Sequence, residues 1–185
     1  VDPHFAMLWH EDIPIIKTEN SSVKVIAGNY KNTIALKPAP DSWAANIENE
    51  VAIWNIHIDA NSTYTLPKAH TEVNRTLYFY EGDSIGIEDQ TIRPNHGILL
   101  DPSKDVQIKV GSKNAHFLLL QGNPIEEPVA KYGPFVMNTD EEIQKAMQEY
   151  QLTQFGGWPW PHPDHVHPKD KGRFAKYPDG TLIEK

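Results

Sequence analysis

Gly122-Asn-Pro-Ile-Glu-Glu-Pro-Val-Ala-Lys-Tyr-Gly-Pro-Phe-Val-Met-Asn-Thr-Asp-Glu-Glu-Ile143 links an apolar stretch, residues 116–120, to an acidic helix. Pro124, Pro128 and Pro134 each fix φ and lack a backbone donor, so the connector is expected to be held by shape and not by a hydrogen-bond ladder. Thr139 followed by Glu142 forms a capping box that satisfies orphan amides at a helix start. Asp140 and Glu141 place negative charge where the helix dipole favours it. Ile143, Met147 and Tyr150 recur at helical spacing, and Gly156-Gly157 is expected to close a helix over 139–154.

Everything upstream reads as short strands. Over 51–59, Ala52, Trp54, Ile56 and Ile58 fall on one face, with Asn55, His57 and Asp59 on the other. Further strands are predicted over 13–17, 23–27, 64–66, 76–80, 84–87, 98–100, 106–110 and 116–120. Turn residues separate them at Glu81-Gly82-Asp83, Pro94-Asn95, Asp101-Pro102 and Gly111-Ser112. Strands so short and so regularly punctuated predict an all-β sandwich or barrel.

Bulk properties narrow the classes. The 185 residues suffice for one domain with a sizeable core. A formal net charge of −8 without a clustered basic face argues against direct nucleic-acid binding. No apolar run reaches the roughly 20 residues that span a bilayer, so no membrane partner is expected. Cysteine is absent, which removes disulfides and thiolate metal ligands. These features predict a cytoplasmic protein. The first residue is Val1, which reads as processing or as a fragment of a longer chain.

Several polar groups are candidates for chemistry. His162, His165 and His167 are weak metal candidates in a Trp/Pro/His-rich tail, 156–185, where prolines restrict how the rings converge. A solvated, Pro-stiffened loop is the favoured reading of these histidines, and the aromatic-rich tail is expected to lie against its own protein or a missing barrel as an extended, polyproline-like arm. Asn55, His57 and Asp59 can line a pocket or oppose another strand's polar face, and the second is favoured. Lys68 and Arg75, if inward, can hold an anion or bridge to a carboxylate such as Glu81; the bridge is favoured, because a buried cation needs a partner. No nucleophile–base pair, phosphate loop or dinucleotide fingerprint is present.

Three stretches resemble the pirin family. They are Trp9-His-Glu-Asp-Ile-Pro14 with Val25-Ile-Ala-Gly28; Leu118-Leu-Leu-Gln-Gly122 running into Gly133-Pro-Phe-Val-Met-Asn-Thr139; and Phe155-Gly-Gly-Trp-Pro-Trp160 with His167-Pro168 and Gly172-Arg-Phe174. The resemblance implies a cupin-type double-stranded β-helix, a jelly-roll barrel with one C-terminal helix and an extended tail. It assigns 1–12 to a leading segment, 13–155 to the C-terminal cupin-like domain of a two-barrel protein, and 156–185 to the tail.

Cupin enzymes hold a metal with His-x-His, a Glu a few residues later, and a fourth His. Compared with that pattern, Lys68 stands at the first His, His70 at the second and Arg75 at the Glu, with Gln107 near the fourth. Lysine and arginine cannot ligate a cation at neutral pH. The resemblance therefore implies no catalytic, cofactor or metal residues in this chain. Iron or another divalent transition metal is expected in an N-terminal cupin barrel of the same protein, which would be this chain's partner. The intact protein is expected to be a quercetin 2,3-dioxygenase-like oxygenase, with this chain as scaffold. The alternative is a non-catalytic binding or regulatory module acting through protein contacts; a chain that is itself a metalloenzyme ranks last. Apolar surface around Phe5, Trp9 and Trp158 is expected to permit self-association.

Overall fold

The computed structural model describes residues 4–158, 161–162, 166–177 and 179–185. The chain divides into two compact units, Val1–Ile125 and Glu126–Lys185.

The first unit is all-β. Its strands are β1 (Ile15–Lys17), β2 (Ser21–Ala27), β3 (Asn29–Tyr30), β4 (Thr33–Ile34), β5 (Ala52–Ile58), β6 (Thr63–Leu66), β7 (Asn74–Glu81), β8 (Ile85–Ile87), β9 (Gln90–Ile92), β10 (His96–Leu99), β11 (Val106–Val110) and β12 (Ala115–Gly122). They form an antiparallel six-stranded sheet, β1-β2-β5-β12-β7-β10, and an antiparallel four-stranded sheet, β6-β11-β8-β9. A small β3–β4 hairpin stands apart from both. This is the cupin jelly roll that the sequence predicts, with β3, β4 and β9 added.

Period-two alternation builds the core. Trp54, Ile56 and Ile58 of β5, Leu77 and Phe79 of β7, and Phe117 and Leu119 of β12 point inward. They meet Tyr64, Leu66, Ile85 and Ile108 in one buried cluster. Each such side chain contributes roughly 1.5–3 kcal/mol when removed from water. Phe79 and Phe117 stack at 5.1 Å in the middle of this cluster. The outer face of β5 is polar, and His57 lies opposite His116 of β12 with ring centroids 4.7 Å apart. Asn55 donates to the Tyr80 hydroxyl at 2.8 Å on the same face. These side chains oppose another strand's polar groups, as the alternation predicts.

Asp83 fastens two turns at one end of the unit. Its carboxylate accepts from the Ser112 hydroxyl at 2.6 Å and from the amides of Ser84, Ser112 and Lys113. These bonds, led by the Ser112 hydroxyl, lower its pKa to about 2.

The second unit corrects the reading of the connector. β13 (Ala130–Tyr132) and β14 (Phe135–Met137) pair as a hairpin about Gly133-Pro134, so a short ladder does hold this segment. Pro134 sits in the turn, where its missing N–H leaves the ladder intact. Helix α1 (Asp140–Thr153) follows, with Thr139 as N-cap and the capping box complete. The helix stops before the two glycines: Gln154 takes the left-handed C-cap at φ 52°. The rings of Phe135, Tyr150 and Phe155 gather beside this end, Tyr150 and Phe155 at 5.2 Å. The tail is not simply an extended arm, because β15 (Phe174–Lys176) and β16 (Leu182–Glu184) form a second hairpin. No helix among the described residues is long and apolar enough to cross a membrane.

Candidate functional site

At one end of the jelly roll the inward layer turns from apolar to polar. Arg75 of β7 is the cross-strand neighbour of Gln121 of β12, which in turn neighbours Ala52 of β5. One step deeper lie Leu77, Leu119 and Trp54. Arg75 is only 2% exposed. Its Nη1 donates to the Pro67 carbonyl at 2.7 Å, and its guanidinium carbon lies 6.0 Å from the Trp54 ring centroid. Burial lowers the pKa of this guanidinium, against the attraction of Tyr64, Glu50 and Asp105. Nearby, Tyr64 shares a 2.8 Å hydrogen bond with Tyr30, and burial followed by that bond pushes its phenol upward.

Beside this layer opens a cleft of about 910 Å³. Its walls are set by short-range chemistry. Two 3-10 turns, Trp43–Ala45 and Ile47–Asn49, are bound to the end of β12: the Trp43 indole donates to the Asn123 carbonyl at 2.9 Å, and Asn123 Nδ2 donates to the Glu48 carbonyl at 2.9 Å. Gln121 Nε2 donates to the Glu50 carbonyl at 3.2 Å. Gly28 lines the cleft beside Val51 and Ala52. Its φ is +74°, and a Cβ there would run into the Val51 carbonyl oxygen, so only glycine fits. Ile34, Leu36, Ile47 and Ile53 supply apolar lining, with Lys31, Lys37, Lys68 and Glu50 as the charged groups.

The cupin-pattern residues separate here. Lys68 and His70 are exposed and follow the end of β6, since Pro67 closes that strand. Their amides are used locally: Lys68 N–H donates to Asp105 Oδ1 at 2.7 Å, and His70 N–H to Glu50 Oε2 at 3.1 Å. Both side chains line the cleft. Of the three, only Arg75 is carried inward by a strand. The expected Arg75–Glu81 bridge does not form, because the two residues stand at opposite ends of β7, about 20 Å apart at strand rise. Gln107 is exposed on β11 and does not reach the inward layer. Gln121 does. It is the residue that sequence reading passes over, although the alternation Phe117, Leu119, Gln121 marks it as inward.

The remaining candidates lie elsewhere. His162 and His167 are exposed, and His167 packs edge-on against Phe174 with centroids 4.5 Å apart. His165 lies outside the described residues, as does Trp160. Trp9 is buried at 8% exposure, whereas Phe5 and Trp158 are each exposed. Among the described residues no three His, Asp or Glu side chains come together as metal ligands. A divalent cation does not fit the inward layer, where the charged group is a guanidinium.

Comparison with known proteins fixes the family. Residues 53–156, more than half of the chain, match the pirin C-terminal cupin domain. The chain belongs to the pirin family. Relatives of this pirin-family chain include a pirin-like protein of Solanum lycopersicum, 33% identical over 84% of this chain and 52% of the relative. Human pirin is 31% identical over 84% of this chain and 52% of its own length. The chain thus spans about half the length of these relatives. A solved quercetin 2,3-dioxygenase from Acinetobacter baumannii superposes with a TM-score of 0.65 at 26% identity, covering 81% of this chain and 50% of that one. The pirin barrel is accordingly shared with proteins named for an oxygenase activity.

Proposed function

We propose that this barrel is the metal-free half of a pirin-like protein, a scaffold for an N-terminal cupin barrel that carries the metal. The intact protein is then a metal-dependent oxygenase of the quercetin 2,3-dioxygenase kind. One observation carries the reading: the strand position that would present a carboxylate presents the buried guanidinium of Arg75. A cation there repels a metal ion and offers it no lone pair. The similarity to a quercetin 2,3-dioxygenase, over half of that protein, supports the wider assignment.

The test compares quercetin turnover by a full-length parent and by this chain, with metal content measured on both. The parent is expected to hold iron or another divalent transition metal and to oxidise quercetin. The isolated chain is expected to do neither. Turnover by the isolated chain at the parent's rate would overturn the scaffold reading.

A second reading is favoured by the outer face of the six-stranded sheet, where Tyr78, Tyr80 and Leu120 are exposed. Outward aromatics on a strand suit a binding or regulatory module that acts through protein contacts. Such a surface also permits self-association of the isolated chain, which light scattering over a concentration series reads directly.

A further inference from the structure

Arg75 has an unused edge. Nη1 is committed to the Pro67 carbonyl, but Nε and Nη2 have no hydrogen-bond partner among the described residues, although both are buried. These two nitrogens share one side of the guanidinium plane, and their N–H groups point the same way. They form the fork that grips both oxygens of a carboxylate. The indole Nε1 of Trp54, under the same guanidinium, is likewise buried without a partner. Three unpartnered donors therefore lie on two neighbouring buried side chains, Arg75 in the polar layer and Trp54 one step below it.

The protein's own carboxylates do not fill the fork. Glu50 and Asp105 are close enough to attract Arg75, yet each is engaged by a backbone amide: Glu50 Oε2 by His70 and Asp105 Oδ1 by Lys68. Neither forms an ion pair with the guanidinium among the described residues. Leaving buried N–H groups unpaired is costly, and a charged donor raises that cost.

The residues around the fork belong to the cleft wall. Trp54, Pro67 and Gln121, respectively the ring it covers, its carbonyl acceptor and its cross-strand neighbour, all line the cleft. Gln121 is the part of that wall that stands across the strand from Arg75. Its side chain is held by a 3.2 Å bond to the Glu50 carbonyl, and its Oε1 has no partner. Farther out the cleft is apolar, with Ile34 and Ile47 at its rim 73% and 67% exposed. Lys31, Lys37 and Lys68 outnumber Glu50 among the charged lining groups. The volume, about 910 Å³, falls at the upper end of pockets that take small organic molecules.

We propose that this cleft binds a small molecule bearing one carboxylate on an apolar body. The carboxylate takes the Nε–H and Nη2–H of Arg75 and the indole N–H of Trp54, displacing the Gln121 side chain. The apolar body lies along Leu36, Ile47 and Ile53. The excess of lysine gives the site its preference for an anion. This proposal does not depend on the scaffold reading, since it concerns binding within this unit alone.

The test is a nitrogen-15 NMR titration of the 185-residue chain with octanoate, octanol and octylamine, reading the Arg75 Nε–H and Trp54 indole N–H resonances. Octanoate is expected to shift both saturably, octanol to bind at least tenfold more weakly, and octylammonium to leave both unmoved. Arg75→Met should erase the preference for octanoate over octanol, with the backbone amide spectrum reporting whether the fold is kept. Gln121→Glu supplies a carboxylate in place and should weaken octanoate at least tenfold even if the Met variant does not fold. Equal affinity for octanol and octanoate would overturn the proposal. So would an Arg75 Nε–H signal unmoved by octanoate but shifted in Gln121→Leu, since the fork would then be satisfied inside the protein.

Discussion

Arg75 and Gln121 are direct cross-strand partners on β7 and β12, yet the guanidinium Nε and Nη2 and the amide Oε1 of this pair make no hydrogen bond. Adjacency across a ladder places side chains on one face but does not aim their polar atoms at each other. Besides the more distant attraction of Glu50 and Asp105, Arg75 has the Pro67 bond and the Trp54 ring to set against the cost of its burial. Arg75→Met removes that cost together with those two interactions, worth roughly 1–3 kcal/mol each. Urea unfolding is expected to put the variant within about 1 kcal/mol of the wild type. A loss above about 3 kcal/mol would mean that the guanidinium has a strong internal partner.

Asp83 gives the barrel an acid-sensitive end. Its folded pKa, near 2, lies below the ordinary aspartate value of about 3.9. A lowered folded value means that ionised Asp83 adds stability above about pH 4, and that this contribution fades as pH falls toward 2. Asp83→Asn is expected to lower the melting temperature at pH 7, and the gap to the wild type should close by pH 2. A gap that stays constant across this range would show that the Ser112 and Lys113 contacts owe nothing to the charge. Gly111 lies beside the same carboxylate, where a Cβ would come within 2.7 Å of Asp83 Oδ1. Gly111→Ala should therefore loosen the same turn and reproduce the loss at pH 7.

How much of this is legible in the sequence depends on the range of the interactions involved. Strand alternation reports a side chain's face directly, so the inward set of β5 can be read from Ala52, Trp54, Ile56 and Ile58. The capping box is equally local, and Thr139 and Glu142 specify it. The β13–β14 hairpin is harder, since Gly133-Pro134 reads as a rigid connector unless the strands on either side are known to pair. The site is the least legible part. Motif spacing puts Lys68, His70 and Arg75 in one line, but Pro67 ends β6 and sends the first two into a loop. Alternation along β12 marks Gln121 as inward, but its place beside Arg75 follows only from the register of β12 against β7.

The end of α1 offers a backbone test in the second unit. Gln154 adopts φ 52° as the C-cap, and Phe155 follows at φ 49°, both in the region that glycine occupies without penalty. Gln154→Gly is expected to stabilise the helix end by about 0.5–1 kcal/mol, although its Nε2 bond to the Tyr150 carbonyl is lost. Thr139→Ala at the other end should cost about 1 kcal/mol by removing the bond to the Glu142 amide. Amide hydrogen exchange along the helix separates the two effects, with slower exchange in the last turn after Tyr150 in the first variant and faster exchange near Glu142 in the second.

Restoring the cupin ligand types by sequence alone is expected to fail. Lys68→His with Arg75→Glu rewrites the pattern as His, His70 and Glu, which on paper is a metal-binding set. In the fold, positions 68 and 70 are exposed beyond the end of β6, whereas position 75 is buried on β7. The new glutamate would also stand near Glu50 and Asp105, the carboxylates that now attract Arg75. Like charges at a desolvated position should destabilise the variant by on the order of 3 kcal/mol. Equilibrium dialysis against Ni²⁺ should leave well below one equivalent bound. A tightly held equivalent, lost again when His70→Ala is added, would mean that the loop after β6 can fold its side chains into the barrel and that the loss of the metal lies in residue identity alone.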